Sequence, residues 1–154
     1  MANSSSKGIT FVELVVACAV LVTIFVSFLY GLVGCIKLVN LSKETFFAIY
    51  SADAKIEEMR GHTFSDVYSY YTTSPQDTFE VDELPAVSSK GSIAIDNTNP
   101  ELLEVYIAVC WKSFDGRVIG EDVNLDGNLA AAEDVNSNNK IDSPVSLATF
   151  ITRR

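Results

Sequence analysis

The sequence is short of the residues most enzymes depend on. Its 154 residues include one histidine, His62, and three cysteines, Cys18, Cys35 and Cys110. It contains no nucleophile elbow, no glycine-rich phosphate loop and no zinc-ligand spacing, so nothing in it predicts catalysis and the chain is read as a non-enzyme. Disulfides are excluded on similar grounds. Cys18 and Cys35 lie 17 positions apart in one predicted helix, about 26 Å of axial rise, whereas a disulfide needs its Cα atoms within roughly 7 Å. Cys110 falls in a later strand pattern with no partner in sight. Positive charge is scarce as well: 11 lysines and arginines stand against 20 acids, a net charge of -9. No basic stripe is available to neutralise a phosphate backbone, so nucleic acid is not an expected partner. The length leaves room for one modest globular domain.

Apolar residues are abundant, and most densely at the start. From Ile9 to Ile36 runs a 28-residue stretch whose one carboxylate is Glu13. That is longer than the roughly 20 apolar residues that cross a bilayer, and too long for the ~7–15-residue apolar region of a secretory signal. Before it stands a polar octapeptide, Met1 to Gly8, with Lys7 as its only charged side chain. The positive-inside bias places Lys7 in the cytoplasm and sends everything after Lys37 to the other side. A carboxylate inside such a run costs ~2.5–3.5 kcal/mol on insertion scales, so Glu13 requires a cation. If the chain is cut after Gly8, the new amine of Ile9 lies about one helical turn away, in the same chain or in a neighbour, and the helix dipole favours an acid in that first turn.

The segment Lys7-Gly8-Ile9-Thr10-Phe11-Val12-Glu13-Leu14 resembles the cleavage and methylation motif of type IV pilins and type II secretion pseudopilins. The motif has a glycine before the cut, an apolar first residue and a glutamate fifth after it. Ile9 stands where phenylalanine is commonest in that family. The resemblance implies that residues 1–8 are a leader removed by a prepilin peptidase, that the Ile9 amine is N-methylated, and that Glu13 guides assembly. It further implies an inner-membrane precursor with a cytoplasmic N-terminus, an assembly platform in that membrane, and identical or homologous pilin subunits as partners. The product would be a periplasmic or extracellular filament at the cell surface or in protein secretion. The fold implied is α+β: one long N-terminal helix packed on a small antiparallel sheet. Residues 9–36 would form the transmembrane and filament-core half of that helix, and 37–154 the globular domain.

Periodicity supports the long helix. No proline interrupts Ile9 to Arg60, and 52 residues would reach ~78 Å at 1.5 Å each. Leu38, Leu41, Thr45, Ile49, Ala52, Ile56 and Met59 recur at three and four and predict the face that covers a sheet, with Lys43, Glu44, Asp53, Lys55, Glu57 and Glu58 elsewhere around it. Gly61 is the expected stop, leaving His62 as a solvated residue just beyond. In the apolar half, Ser27, Gly31 and Cys35 are spaced by four. That stripe either lets another helix approach closely in lipid or, through Gly31 and Gly34, merely loosens the helix.

Beyond the helix, Tyr68 to Pro75 reads as a connecting loop, and short strands are expected around Phe79 and Val81 and from Gly91 to Ile95. Asn97 to Pro100 reads as a turn. Leu102 to Lys112 is the clearest strand: Leu103, Val105, Ile107, Val109 and Trp111 alternate with a mixed face. Trp111 is assigned to the core and Cys110 to the opposite face. Asp115-Gly116 predicts a hairpin turn into Arg117-Val118-Ile119, and Val145 to Thr152 a last strand.

Between these last strands, in the segment 121–142, lies the second motif. Asp122, Asn124 and Asp126 occupy the first, third and fifth places of a 12-residue calcium loop, with Gly127 sixth, Asn128 seventh through its carbonyl, and Glu133 twelfth. Calcium takes six to eight hard oxygens, and a glycine-turned loop brings alternate side chains to one point. Asp134, Asn136, Asn138 and Asp142 restart the pattern, but Asn139 holds the glycine place and Val145 that of the closing glutamate. This second copy completes the first site, holds a second ion, or is an asparagine-rich turn that tolerates left-handed backbone. At least one Ca2+ is expected. No flanking EF-hand helices are evident, so a calcium loop of the dockerin or pseudopilin kind is expected. Its ion would act as a structural clip, since no target groove of a sensor is evident. A filament subunit is favoured over a membrane-anchored, non-polymerising calcium-binding module and over a tethered enzyme.

Overall fold

The computed structural model describes residues 10–73, 77–82, 84 and 88–153. Gly8, Ile9, the leader, Ser74 and Pro75 lie outside them. The chain forms two compact units, Met1–Val39 and Asn40–Arg154. Helix α1 (Phe11–Arg60) contributes to both. In the first unit it is the sole described element. Its apolar window has a mean hydropathy of 2.7 with none of it buried, so the helix is long and apolar enough to cross a membrane. Cys18 and Cys35 are free and exposed.

The second unit is a small antiparallel sheet on the C-terminal part of α1, giving the expected α+β class. The buried residues of α1 are Glu44, Ala48, Ser51, Ala52, Ile56 and Met59, which shifts the covering face from the one periodicity predicts. Leu38 and Ile49 are exposed. Small side chains at 48, 51 and 52 let the helix backbone approach the sheet, and larger apolar neighbours such as Ile49 face away. Glu44, expected on the polar side, is buried because two donors of the sheet end on it.

Gly61 ends α1, its N–H shared between the carbonyls of Glu57 and Glu58. The stretch that reads as a loop contains a second helix instead, α2 (Phe64–Tyr71). Thr63 caps it by accepting from the Asp66 N–H, and Val67 and Tyr71, four apart, bury one face. Tyrosine-rich composition hides this short helix, whereas its cap, Thr63-x-x-Asp66, announces it.

Among the described residues five strands follow: β1 (Thr78–Phe79), β2 (Ser89–Asn99), β3 (Leu102–Lys112), β4 (Val118–Ile119) and β5 (Val145–Thr152). Strand β3 is central. It pairs with β2 on one side and with both β4 and β5 on the other, while β1 lies outside β2. Its register runs Val109 to Val145 through Leu102 to Thr152. Strand β2 is longer than its apolar pattern, reaching Asn99 through a bulge after Asp96. The hairpin at Gly116 closes with Ser113 N–H on the Arg117 carbonyl, and the glycine takes φ 87°.

The two faces of β3 serve two cores. Leu103, Val105, Ile107, Val109 and Trp111 pack with the buried face of α1 and with Val67 and Tyr71. On the reverse face, Ala108 and Cys110 meet Ile141, Leu125 and Leu129 from the segment between β4 and β5. That segment is therefore a layer on the sheet rather than a projecting loop. Burial pushes the Cys110 thiol pKa up.

Candidate functional site

The layer on the back of the sheet consists of two successive turns with the same hydrogen bonds. In the first, the Asp126 N–H donates to Asp122 Oδ1 and Asn124 Oδ1 at 3.2 and 2.9 Å. The Gly127 N–H donates to Asp122 Oδ2 at 2.8 Å, and the Asn128 N–H to Asp126 Oδ1 at 2.7 Å. In the second, the Asn138 N–H donates to Asp134 Oδ1 and Asn136 Oδ1 at 3.1 and 3.0 Å. The Asn139 N–H donates to Asp134 Oδ2 at 3.0 Å, and the Lys140 N–H to Asn138 Oδ1 at 2.7 Å. The fourth and sixth places are left-handed in both turns: Leu125 and Gly127, then Ser137 and Asn139. Asparagine tolerates that geometry where most side chains do not, so the second copy keeps the backbone without the glycine.

The turns close differently. Glu133 reaches back over the first, its Oε1 accepting from the Val123 and Asn124 N–H groups and its Oε2 from Ala130. The second has no closing glutamate, since Val145 is already the buried first residue of β5. Asp142 closes it instead, with Oδ2 accepting from the side-chain amides of Asn136 and Asn138. Its Oδ1 accepts from the Tyr106 hydroxyl of β3 at 2.9 Å. The amide of Asn136 and the Tyr106 hydroxyl hold the Asp142 carboxyl below the usual carboxylate range. Burial pushes Asp122 the other way, against the opposing pull of its backbone N–H donors.

The sequence pattern does not single out Tyr106 or Glu121, yet both belong to this layer. Glu121 joins the ends of the whole segment: its N–H donates to the Asp142 carbonyl at 2.9 Å, and its Oε2 accepts from the Asp142 N–H at 3.1 Å. The contacts of both residues span distant positions and leave no local pattern. Among the described residues no three carboxylate, imidazole or thiol groups gather as metal ligands. The oxygens brought around each turn are a mixture of carboxylate and asparagine amide, the hard donors that suit calcium rather than a softer metal.

At the other end of the chain, Glu13 sits in the first turn of α1. Its N–H donates to Thr10 Oγ1 at 3.3 Å, so Thr10 caps the helix and Thr10-x-x-Glu13 has the spacing of a capping box. That spacing is the signal by which Thr10 could be found, although the apolar pattern around it conceals the cap. Of the small-residue stripe, Ser27 bonds the Thr23 carbonyl, and a Cβ added at Gly31 would meet nothing within 4 Å. Compared with known protein families, with curated proteins and with solved structures, the chain matches none.

Proposed function

We propose that the chain is a filament subunit of the type IV pilus or type II secretion pseudopilus kind, cut after Gly8 and assembled through its N-terminal helix. The observation that carries this reading is Glu13: an acid one turn into a helix whose surrounding side chains are apolar and exposed. An acid in that setting is stabilised by a nearby cation, and cleavage after Gly8 would create one at the Ile9 amine. The N-terminal half of α1 then spans the inner membrane before assembly and lies in the filament core afterwards. The prepilin peptidase and a membrane assembly platform act on it, and the folded domain faces the periplasm or the exterior. The pilins it resembles often staple their C-terminal region with a disulfide, for which this sequence offers no candidate pair, and that lack, with the calcium-loop sequence pattern, inclines the reading towards a pseudopilin.

In this function the segment Glu121 to Asp142 is a calcium clip. Asp122, Asn124, Asp126, Asn128 and Glu133 would hold one ion, and Asp134, Asn136, Asn138 and Asp142 would complete that site or hold a second. The ion would neutralise carboxylates that otherwise repel one another and so stabilise the layer on the back of the sheet. Mass spectrometry of the mature N-terminus, in cells with an active prepilin peptidase, tests the assembly reading. A mass beginning at methylated Ile9 is expected; Met1 retained throughout would end it.

A second reading, a membrane-anchored module that does not polymerise, draws on the separate core of the second unit. Under it, Glu13→Ala leaves the assembly state unchanged, whereas the filament reading expects loss of sedimentable assemblies.

A further inference from the structure

Strand β5 is an edge without the usual protection. Among the described residues it has β3 on one side and no strand on the other, and Val145–Thr152 contains neither charge nor proline. Charges and prolines are the common means by which edges are kept from pairing. A cavity of about 470 Å³ lies along the last residues of this strand. Phe150, Ile151 and Thr152 line it, and none of their β3 partners does. Arg60 and Phe64 line it as well.

Two guanidiniums stand at this edge of an acidic chain, each in an exposed ion pair. From residue 143 to the end the sequence has two arginines and no acid. Arg153 lies 6.0 Å from the Phe64 ring and reaches Glu101 only at 4.0 Å. Arg60 donates to Thr149 Oγ1 at 3.0 Å and pairs with Glu57 on its own helix. Both ion pairs are exposed, and such pairs contribute little, so either guanidinium can exchange its partner for an incoming carboxylate. The opposite side of the sheet carries the complement. Residues 77–82, which include β1, contain Asp77, Glu80 and Asp82 and no base, with Glu80 facing Lys90 at 3.7 Å.

We propose that the open edge of β5 receives the acidic segment 77–82 of a second copy as an added strand, with Arg60 and Arg153 meeting the carboxylates of Glu80 and Asp82. This inference rests on the reading of the chain as a self-assembling subunit and names the surface by which the folded domains touch. Strand addition draws its affinity from main-chain hydrogen bonds, and the flanking charges select the partner. The two surfaces are different and lie at opposite edges of one sheet, so the contact is head-to-tail, the kind of contact from which a filament is built.

The test uses the full chain with Cys18→Ala and Cys35→Ala, in two differently tagged pools carrying Phe150→Cys or Glu80→Cys, co-expressed and oxidised. Both positions are exposed, and Trp111 fluorescence verifies folding. A disulfide joining the two tags is expected, absent from either pool alone. It should fall at least tenfold with Arg153→Glu and return when Asp82→Arg is added to the other pool. Sedimentable assemblies of the parent without a mixed-tag disulfide would overturn the edge contact and leave the assembly reading standing. A monomeric parent without the disulfide would remove both. A disulfide indifferent to Arg153→Glu, or cross-linking of Phe150→Cys to an unrelated protein alone, would also overturn the proposal.

Discussion

The carboxylate of Glu44 accepts the indole N–H of Trp111 at 3.1 Å, joining α1 to the end of β3 across 67 positions of sequence. Its second oxygen accepts the backbone N–H of Phe114 at 2.9 Å, where the chain leaves that strand. Trp111 is fully buried and Glu44 nearly so. A buried acid that satisfies a buried indole N–H and a partly buried backbone N–H is worth more in place than its hydrophobicity suggests, because removing it strands the indole. Glu44→Ala is therefore expected to lower unfolding stability by about 2–4 kcal/mol, and Glu44→Gln by less, since one acceptor oxygen survives. Trp111, the only tryptophan, reports the urea transition directly. Equal midpoints for the parent and Glu44→Ala would show that the bond contributes nothing.

A second polar cluster governs the response to pH. Glu58 Oε1 accepts the Tyr71 hydroxyl at 2.7 Å, and Lys55 donates to the same carboxylate at 3.0 and 2.8 Å. Burial pushes the Glu58 carboxyl up, but the bonds from Lys55 and Tyr71 outweigh it and hold the group below the ordinary 4.5. Burial and the bond to Glu58 push the Tyr71 hydroxyl above the ordinary 10.0. A depressed carboxyl contributes stability that is present above its unfolded value and is lost as pH falls through the folded one. A raised phenol contributes stability that is present below its unfolded value and is lost as pH rises beyond it. Stability is thus expected to decline below about pH 4.5 and above about pH 10, with Glu58→Gln removing this group's acid arm and reducing the alkaline one, since burial of Tyr71 remains. Melting curves of the parent and the variant across pH 3–11 check this; identical profiles would dismiss the cluster as a pH determinant.

How far the fold is legible in the sequence depends on whether one periodicity dominates. Strands β3 and β5 fall where strict alternation places them, and the helix to Arg60 follows from an uninterrupted apolar and then amphipathic pattern. Periodicity places Ala52, Ile56 and Met59 on the buried face correctly, but it misses Ala48 and Ser51, which hydrophobicity ranks below the exposed Ile49, and it assigns no acid such as Glu44 to the interior. The first turn of the candidate metal segment is legible residue by residue. The other turn lacks two of the motif's residues, yet its backbone repeats the first bond for bond. Side-chain oxygens at the first, third and fifth places set that backbone, and Asn139 adopts the left-handed geometry the sixth requires. Asp142 belongs to the sequence pattern, but the bonds that tie it to Tyr106 and Glu121 are tertiary and have no local trace.

The repeated backbone sets a pair of opposite expectations for the sixth place of each turn. At Gly127, with φ 81°, an added Cβ would run into Thr78 Cγ2 on β1, so Gly127→Ala suffers both backbone strain and a clash. A loss of about 2–4 kcal/mol is expected. Asn139→Gly relieves the left-handed residue at the cost of a more flexible unfolded chain, and should change stability by less than about 1 kcal/mol. Denaturant titration of the two variants beside the parent decides; equal losses would mean that the two turns are not built alike.

The last expectation concerns the ion and uses Cys110 as its reporter. Leu125, Leu129 and Ile141 of the two turns cover Ala108 and Cys110 on β3, so loosening the turns uncovers the thiol. If calcium clips the segment, the full chain with Cys18→Ala and Cys35→Ala should expose Cys110 to a thiol reagent much faster in chelator than in millimolar calcium. An ion held only by the folded state adds stability that grows with its concentration, about 2.7 kcal/mol at a hundred times its dissociation constant, so the melting midpoint should rise with calcium. Asp126→Ala is expected to abolish most of both effects. Asp134→Ala separates the turns, leaving a single weaker step if each holds its own ion and abolishing the response if the two share one. Labelling and melting that ignore calcium in the parent would rule out the clip, and the layer would then be held by its own hydrogen bonds and by Leu125, Leu129 and Ile141 alone.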